Sequence, residues 1–432
     1  MKTLDPTNQP WQHLSKVVNP AIVYAWDAIT PAQQAHLCQA ITPGTSIDCV
    51  VYPQTTEELA TVVTVAHRNR WGILPQGAGT KIHWGGLVQD VNIVVSTQRL
   101  NRIIDHAVGD LTLTVEAGTP FADIQTTLAQ AQQWLPLDPA YPEQATIGGI
   151  IATSNTGSLR HRYRGVRDLI LGLTFVRSDG EIAKAGGRVV KNVAGYDLMK
   201  LFTGSYGTLG VITQVTLRVY PQPEASQTVI LSGGAGELQT AIKTLLSSTL
   251  TPVAVDLISP QLAQTVSLRN ALTLVVRFQS ISPSVTEQSN RLQTIAKQIG
   301  LDYQTSAGME DTEFWQKLPQ AIWENNTDTP ILCKIGVLPT EAIATLEQLS
   351  PSLAIIHVSS GVGILRGNLT PGQLLQQRQW CQSQQGYLSI LAAPLAYKQK
   401  LDIWGFSKTT QMLMGKLKYQ FDPTEIFSPH RF

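Results

Sequence analysis

The sequence has few charged residues, and the two signs nearly cancel. Charged residues make up 15% of the 432 residues, with 32 basic and 31 acidic side chains and a net charge of +1. A protein that binds nucleic acid needs a basic surface, and this balance supplies no such field over the chain. Hydrophobic residues reach 43%, which is enough to fill globular cores and excludes a disordered or fibrous protein. We therefore expect a globular protein with no nucleic-acid partner.

Cysteine is scarce, and its spacing does not suit a metal site. The four cysteines are Cys38, Cys49, Cys333 and Cys381, and no CxxC pair occurs. Iron–sulfur clusters and structural zinc need several cysteines at short spacing, so we expect neither in this chain. Dispersed free thiols are typical of a reducing compartment.

Long apolar runs are also missing. No stretch of about 18 apolar residues is present, and the first residues, MKTLDPTNQPWQHL, lack the apolar segment of a signal peptide. We expect a cytoplasmic protein without a membrane span, attached to a membrane at most peripherally through partners.

At 432 residues the chain is long enough for two domains. Short strands and helices alternate from residue 47, and the string PQP at residues 221–223 marks a break. Beyond it, the apolar pattern predicts strands at 228–232, 253–258, 271–278 and 332–337, which favours an antiparallel sheet. The predicted organisation is an N-terminal segment at 1–46, a first domain at 47–223, a second α+β domain at 224–400 and a helix-rich tail at 401–432.

Two local signals place elements inside the first domain. Thr55 followed by Glu58 is typical of a helix N-terminus, and the apolar face that follows predicts a helix to about Asn69. The string SDG at residues 178–180 predicts a tight turn between strands at 169–177 and 181–185.

A glycine-rich string, PQGAGTK at residues 75–81, follows a predicted strand at 72–75. Glycines permit turns in which several backbone amides converge on an anion, and a pyrophosphate suits such a loop. The string lacks the GK[ST] ending of a Walker A loop and the third glycine of a Rossmann fingerprint. By itself the loop leaves two alternatives open, an anion-binding loop and a tight turn without a ligand.

Two further segments accompany this loop. One consists of LDP at 137–139, ATIGGIIA at 145–152, Asn155 and Gly157; the other consists of VKNVAGYD at 190–197 and LFTGSYGTLGVIT at 201–213. Together with the loop, these segments resemble the vanillyl-alcohol-oxidase and p-cresol-methylhydroxylase (PCMH) family of FAD-binding proteins over most of residues 48–221. The resemblance implies an α+β fold, with a two-subdomain PCMH-type FAD-binding domain, a smaller α+β cap domain with an antiparallel sheet, and a helical tail that returns to the flavin domain.

The resemblance also implies which residues hold FAD. Covalent attachment in this family uses a His or Cys in or near the first loop. Gln76, Ala78 and Thr80 cannot form such a bond and His83 lies three residues further on, so we expect non-covalent FAD. The residues expected to bind FAD are Pro75, Gln76, Gly77, Ala78, Gly79, Thr80, Lys81, Pro139, Thr146, Ile147, Gly148, Gly149, Ala152, Asn155, Gly157, Gly210, Val211 and Ile212.

The sequence is poor in groups that could oxidise a substrate unaided. Related catalytic flavoprotein subunits carry a GDGN.H motif and a later Glu-His pair, whereas IHVSSGVG at 356–363 has one histidine, His357, and no acidic residue beside it. His357 is a candidate base, and a buried strand histidine is the alternative. We expect no metal site. Ser428 also stands where relatives have an Asn before the final Pro-Gly.

Four arginines fall within RHRYRGVR at residues 160–167. Such a stretch can clamp a phosphate or carboxylate, or receive an acidic partner surface. A solvated loop held by Asp168 is the alternative interpretation.

Within the family, KNVAGYD at 191–197 and the FDP and FSP strings at 421–429 are similar to the small FAD-binding subunits of bacterial glycolate oxidases. That similarity implies partners, namely a larger catalytic flavoprotein subunit and an iron–sulfur subunit, and a small 2-hydroxy acid as the substrate of the complex. Two alternatives stay open: a self-sufficient FAD-dependent dehydrogenase for D-lactate or glycolate, and a structural subunit with a vestigial flavin site.

Overall fold

A computed structural model describes residues 9–188, 195–324, 330–349 and 352–432. Up to residue 134 the elements are α1 (Pro10–Val17), β1 (Val23–Ala25), α2 (Pro31–Cys38), β2 (Cys49–Val51), α3 (Thr56–Asn69), β3 (Gly72–Gln76), β4 (Val91–Ser96), β5 (Ile103–Ala107), β6 (Thr112–Glu116), α4 (Phe121–Ala129) and β7 (Gln133–Trp134). From residue 147 to 221 they are α5 (Ile147–Thr153), α6 (Arg160–Tyr163), α7 (Val166–Leu169), β8 (Ile170–Val176), β9 (Ile182–Gly186), α8 (Leu198–Phe202), β10 (Val211–Arg218) and β11 (Tyr220–Pro221). The remaining elements are β12 (Ala225–Ser232), α9 (Ala235–Ser247), β13 (Ala254–Ile258), α10 (Pro260–Thr265), β14 (Thr273–Ser280), α11 (Ser282–Ile299), β15 (Asp302–Ala307), α12 (Gly308–Trp323), β16 (Ile331–Gly336), α13 (Ala342–Gln348), β17 (Leu353–His357), β18 (Val362–Gly367), α14 (Pro371–Ser383), β19 (Tyr387–Ala392), α15 (Leu395–Lys398) and α16 (Lys408–Phe421).

The described chain forms two compact units. The first unit takes its described residues from Met1–Thr156, Gly165–Pro221 and Phe406–Phe432. The second unit contains Gly157–Arg164 and the described part of Gln222–Gly405.

The first unit contains two larger sheets. One has the strand order β1-β2-β4-β3, in which β2 and β3 both run parallel to β4. The other is antiparallel, with the order β5-β6-β10-β8-β9. Helix α3 buries Leu59, Val62 and Val63 beside the first of these sheets, as its apolar spacing predicts.

Both local predictions in this unit are confirmed. The Oγ1 atom of Thr55 accepts a hydrogen bond from the Glu58 amide at 3.1 Å, and α3 begins at the next residue, Thr56. Strands β8 and β9 pair antiparallel from Val176 and Ile182 outward, with the turn at residues 178–180 between them.

The tail of the chain is fastened beside β3. The Ile73 amide donates to the Ile426 carbonyl at 2.6 Å, and the Ser428 amide donates to the Ile73 carbonyl at 2.8 Å. Asp422, which is fully buried, accepts from the Phe427 amide at 2.7 Å and from Lys418 Nζ at 2.5 Å. These bonds hold the last residues next to the loop that follows β3.

The second unit is built on one antiparallel sheet, as predicted, with the strand order β15-β12-β14-β13-β17-β18-β16-β19. Val255 and Leu257 of β13 contribute to a large apolar core. Because side chains alternate along a strand, Asp256 points to the opposite face of this sheet. No helix in the part of the chain that the structure describes is long and apolar enough to cross a membrane.

Candidate functional site

The predicted anion-binding loop follows β3 directly and is held by its neighbours. Three of its carbonyl groups contact polar side chains: Gln76 accepts from Thr97 Oγ1 at 3.3 Å, Gly77 accepts from Ser96 Oγ at 3.1 Å, and Gly79 lies 2.9 Å from Nε2 of His36. Gly79 has φ +78°, which a residue with a side chain rarely adopts. The contacts fix the loop in a shape that depends on this glycine.

Helix α5 brings the second predicted segment to the loop. Thr146 caps the helix, because its Oγ1 accepts from the Gly149 amide at 3.3 Å. The Gly148 amide donates to the Ala117 carbonyl at 2.8 Å, and a Cβ on Gly148 would lie 2.8 Å from the Ala117 side chain. Gly148 therefore allows α5 to lie closer to Ala117 than a larger residue would.

These segments and the loop before β10 line one pocket with about 710 Å³ of empty volume. The lining residues are Pro75, Gln76, Gly77, Ala78, Gly79, Thr80, Lys81, Ile82, Thr97, Thr146, Gly148, Gly149, Ala152, Thr153, Ser205, Tyr206, Gly207, Gly210, Val211, Ile212 and Arg431. All seven residues of the predicted loop are in this set. The sequence thus identified, from three separate segments, residues that the fold brings together.

Four residues expected to bind FAD do not line this pocket. Ile147 is fully buried in the core beneath α5, and Pro139 is buried as well. The Oδ1 atom of Asn155 accepts from the Ala140 amide at 2.6 Å, and Gly157 belongs to the second unit. Contact of these four with a cofactor stays a prediction. Residues 190–194 of the VKNVAGYD segment lie outside the described residues.

Several lining residues were not predicted from the sequence. Ile82, Thr153, Ser205, Tyr206 and Gly207 lie within or next to the recognised segments, so their position along the chain was an available signal. Thr97 follows β4, and Arg431 comes from the tail; no local pattern marks either of them.

The pocket contains two buried basic side chains and is lined by no Asp or Glu among the described residues. Lys81 is 5% exposed, and burial lowers the pKa of its ammonium group to about 7. Burial also lowers the pKa of Arg431, to about 10, and its Nη2 donates to the carbonyls of Ile82 and Trp84 at 2.8 and 2.6 Å. Because buried cations are costly without a counter-charge, this lining favours an anionic ligand.

A second group of ionisable residues lies inside the second unit. The Nδ1 atom of His357 lies 2.6 Å from Oδ1 of Asp256, and both side chains are buried. The two residues are direct partners on β17 and β13. The string at 356–363 contains no acidic residue, and Asp256, 101 residues earlier in the chain, is brought to His357 by strand pairing.

His161 of α6 belongs to the same group. Burial lowers the pKa of His161, while the nearby carboxylate of Asp256 opposes that shift. Within the described ranges, Nδ1 of His161 and the second carboxylate oxygen of Asp256 have no hydrogen-bond partner.

The arginine-rich stretch forms two short helices, α6 and α7, rather than one loop. Burial lowers the pKa of Lys334, and the positive charge of Arg160 lowers it further. The side chains of Arg160 and Lys334 therefore lie near each other. Asp168 Oδ2 accepts from the Gly165 amide at 3.2 Å at the start of α7. The role of the stretch in anion binding or docking stays a prediction. No group of three or more His, Cys, Asp or Glu that could hold a metal ion occurs among the residues with described positions.

Comparison with known proteins identifies the cofactor domain. Residues 47–186 match a family model described as an FAD binding domain. Among solved structures, p-cresol methylhydroxylase with substrate bound superposes with a TM-score of 0.77 at 13% identity, covering 100% of this chain and 98% of that one. Alkyldihydroxyacetonephosphate synthase gives a TM-score of 0.72 at 16% identity, covering 100% of this chain and 86% of that one. The predicted PCMH-type FAD-binding fold is confirmed, and FAD is the cofactor of this fold.

Several curated relatives are named as oxidases or dehydrogenases of 2-hydroxy acids. The chain is 34% identical over 210 residues to "Glycolate oxidase subunit GlcD" of Bacillus subtilis, covering 48% of this chain and 42% of that protein. It is 37% identical over 172 residues to "Glycolate oxidase subunit GlcE" of Escherichia coli, covering 40% of this chain and 49% of that protein. A longer alignment, 27% identical over 445 residues, covers 93% of this chain and 82% of mitochondrial D-2-hydroxyglutarate dehydrogenase of Rattus norvegicus. The chain thus spans about half or less of the two glycolate oxidase subunits that it matches.

Proposed function

We propose that this chain, which carries a PCMH-type FAD-binding domain, is the FAD-binding subunit of a glycolate oxidase or dehydrogenase complex. In that complex it takes part in the flavin-dependent oxidation of a small 2-hydroxy acid. A complete cofactor pocket supports the proposal, together with the similarity to two proteins that are named as glycolate oxidase subunits.

The lining of the pocket fits FAD. Gly77 and Gly148 let the loop and α5 pack closely against Thr146 and Ala117, and Lys81 and Arg431 offset the charge of the pyrophosphate of FAD. None of the described lining residues is a His or Cys, which supports non-covalent binding. When bound, FAD supplies the acceptor for the electrons of the substrate.

The proposed partners would supply iron–sulfur ligands and catalytic histidines, of which this chain has few. Of its four cysteines, Cys38 is exposed and the other three are buried, and none pairs with a second sulfur at iron–sulfur spacing. An iron–sulfur subunit would carry electrons onward, and a larger flavoprotein subunit would supply the catalytic histidines. We place the complex in the cytoplasm.

A second candidate function is a self-sufficient FAD-dependent 2-hydroxy-acid dehydrogenase. The Asp256–His357 pair favours it, because Nδ1 donating to Asp256 leaves Nε2 of His357 as a proton acceptor for a substrate hydroxyl. Arg160 and Lys334, in the same unit, offer positive charge for a carboxylate. A structural subunit with a vestigial flavin site is less well supported, because all seven residues of the loop at 75–81 line the pocket.

The test is to purify the chain alone and together with its native partners, and to measure flavin content and glycolate-dependent dye reduction in both. We expect bound FAD in both preparations and dye reduction only in the complex. Glycolate- or D-lactate-dependent turnover by the chain alone would overturn the subunit proposal in favour of the second candidate. Flavin-free protein that cannot be reconstituted with FAD would support the vestigial site.

A further inference from the structure

One lysine of the cofactor pocket is almost completely shielded from water. Lys81 ends the loop at residues 75–81 and is 5% exposed. Its Nζ donates to Thr80 Oγ1 at 3.3 Å and lies 6.0 Å from the centre of the Trp84 ring. A hydroxyl and an indole face do not neutralise an ammonium ion. Because no Asp or Glu is among the described residues that line the pocket, a charge on Lys81 has no fixed counter-charge there.

We propose that binding of FAD to this pocket takes up one proton from solution and that Lys81 accepts it. The inference rests on FAD as the cofactor and not on the substrate or the partner subunits proposed above.

The direction of the proton transfer follows from the charges. FAD brings a pyrophosphate with two negative charges into the pocket that the buried Lys81 lines. In the protein alone, burial lowers the pKa of Lys81 to about 7. A nearby anion favours the ammonium form and therefore raises that pKa. At a pH between the pKa of Lys81 in the free protein and its pKa in the complex, the lysine is neutral before FAD binds and charged afterwards.

Other ionisable groups border the same region and must be separated from Lys81. His36 contacts the Gly79 carbonyl, and His83 lies with its ring centre 6.2 Å from that of His36. Arg431 stacks 5.9 Å from the Tyr206 ring, and its pKa of about 10 keeps it charged at pH 8. The variant Lys81→Arg distinguishes these groups from Lys81, because any proton uptake that remains in that variant belongs to another group.

The test is calorimetric titration of the apoprotein with FAD in buffers of different ionisation enthalpy. The slope of the observed binding enthalpy against the ionisation enthalpy of the buffer gives the number of protons taken up. With a starting pKa of about 7, we expect about 0.9 proton per FAD at pH 8.0 and about 0.1 at pH 6.0. The affinity for FAD should fall by about tenfold per pH unit between pH 7 and the raised pKa of the complex.

Two variants assign the proton. Lys81→Arg keeps a permanent charge, so it should bind FAD without proton uptake and with an affinity that does not change between pH 7 and 9. Lys81→Met should bind more weakly, also without uptake. Uptake below about 0.2 proton by the unmodified protein at pH 8.0 would overturn the proposal. Unchanged uptake in Lys81→Arg would do the same, and neither result requires Lys81→Met to fold.

Discussion

Thr146 occupies the space that a side chain on Gly77 would need. A Cβ built on Gly77 would lie 2.0 Å from Oγ1 of Thr146 and 3.0 Å from its Cβ. Thr146 also caps α5, so its side chain cannot turn away without releasing the Gly149 amide. The glycine loop and α5 therefore fit together only while residue 77 has no side chain.

The variant Gly77→Ala tests this fit. Overpacking of this kind costs about 1–3 kcal/mol, which corresponds to a fall in the affinity for FAD of about 5- to 150-fold. Flavin released per chain on denaturation is the measurement. Gly109→Ala is the matched control, because a Cβ there would meet no atom within 4 Å. An unchanged flavin content in Gly77→Ala would contradict the geometry described for the pocket.

His357→Ala should destabilise the second unit. Asp256 is fully buried, and His357 is the donor to its Oδ1. Removing His357 leaves the buried Asp256 side chain without this partner, and loss of one member of a buried pair typically costs about 3–5 kcal/mol. We expect a loss of about 3 kcal/mol in the free energy of unfolding, measured with urea. The double variant Asp256→Ala/His357→Ala should lose less than the sum of the two single variants; additive losses would argue against the pair.

The milder variant His357→Gln separates the two candidate functions. If the catalytic histidines lie on a partner subunit, glycolate-dependent dye reduction by the complex should stay within about threefold of that of the unmodified complex. If His357 is the base, the rate should fall by about 100-fold or more, in line with the usual contribution of a general base. Equal flavin content in both complexes is the control.

Asp422→Asn should loosen the tail from the first unit. The carboxylate accepts from the Phe427 amide and from Lys418 Nζ, and all of it is buried. Loss of its charge leaves Lys418 without its ionic partner at this site, which we expect to cost about 3 kcal/mol of stability. Weaker FAD binding should follow, because Arg431 reaches the pocket from this tail. Stability is measured by denaturation, and FAD binding is measured by the flavin that the protein releases. Lys416→Ala, at an exposed position on the same helix, is the control for both measurements.

The thiols should differ sharply in reactivity. Burial raises the pKa of Cys49 and Cys333 to about 12 and that of Cys381 to about 11, whereas Cys38 is exposed. The thiolate is the reactive form, so Ellman's reagent at pH 8 should titrate one thiol in the folded protein and all four in denaturant. Rapid reaction of a second thiol in the folded protein would show that one of the buried cysteines is accessible.

Much of the cofactor pocket was predictable because it is made of contiguous glycine-rich segments. The conformation of the loop at residues 75–81 depends on its own glycines, and those are visible in the sequence. Arg431 was not predictable, since its place in the pocket results from the pairing of Ile426 and Ser428 with β3. A single arginine near the end of a chain gives no sign of where the fold will carry it.

In the second unit, too, some features were predictable from the sequence and others were not. The four strands predicted there from apolar patterns are present as β12, β13, β14 and β16. Strand β15 was missed because Asp302–Ala307 is mostly polar and lies at the edge of the sheet, where no apolar alternation is needed. The partner of His357 was missed because strand register, not sequence distance, places Asp256 opposite it.

The route of the chain sets the order in which the pocket can be completed. The stretch Phe406–Phe432 of the first unit follows the main part of the second unit, and Arg431 contributes to the pocket from there. A ribosome must therefore synthesise the whole second unit before the loop at residues 75–81 can meet its last neighbour. We therefore expect this protein to bind its cofactor late in its biogenesis. A nascent chain whose synthesis stalls within the second unit should contain no flavin.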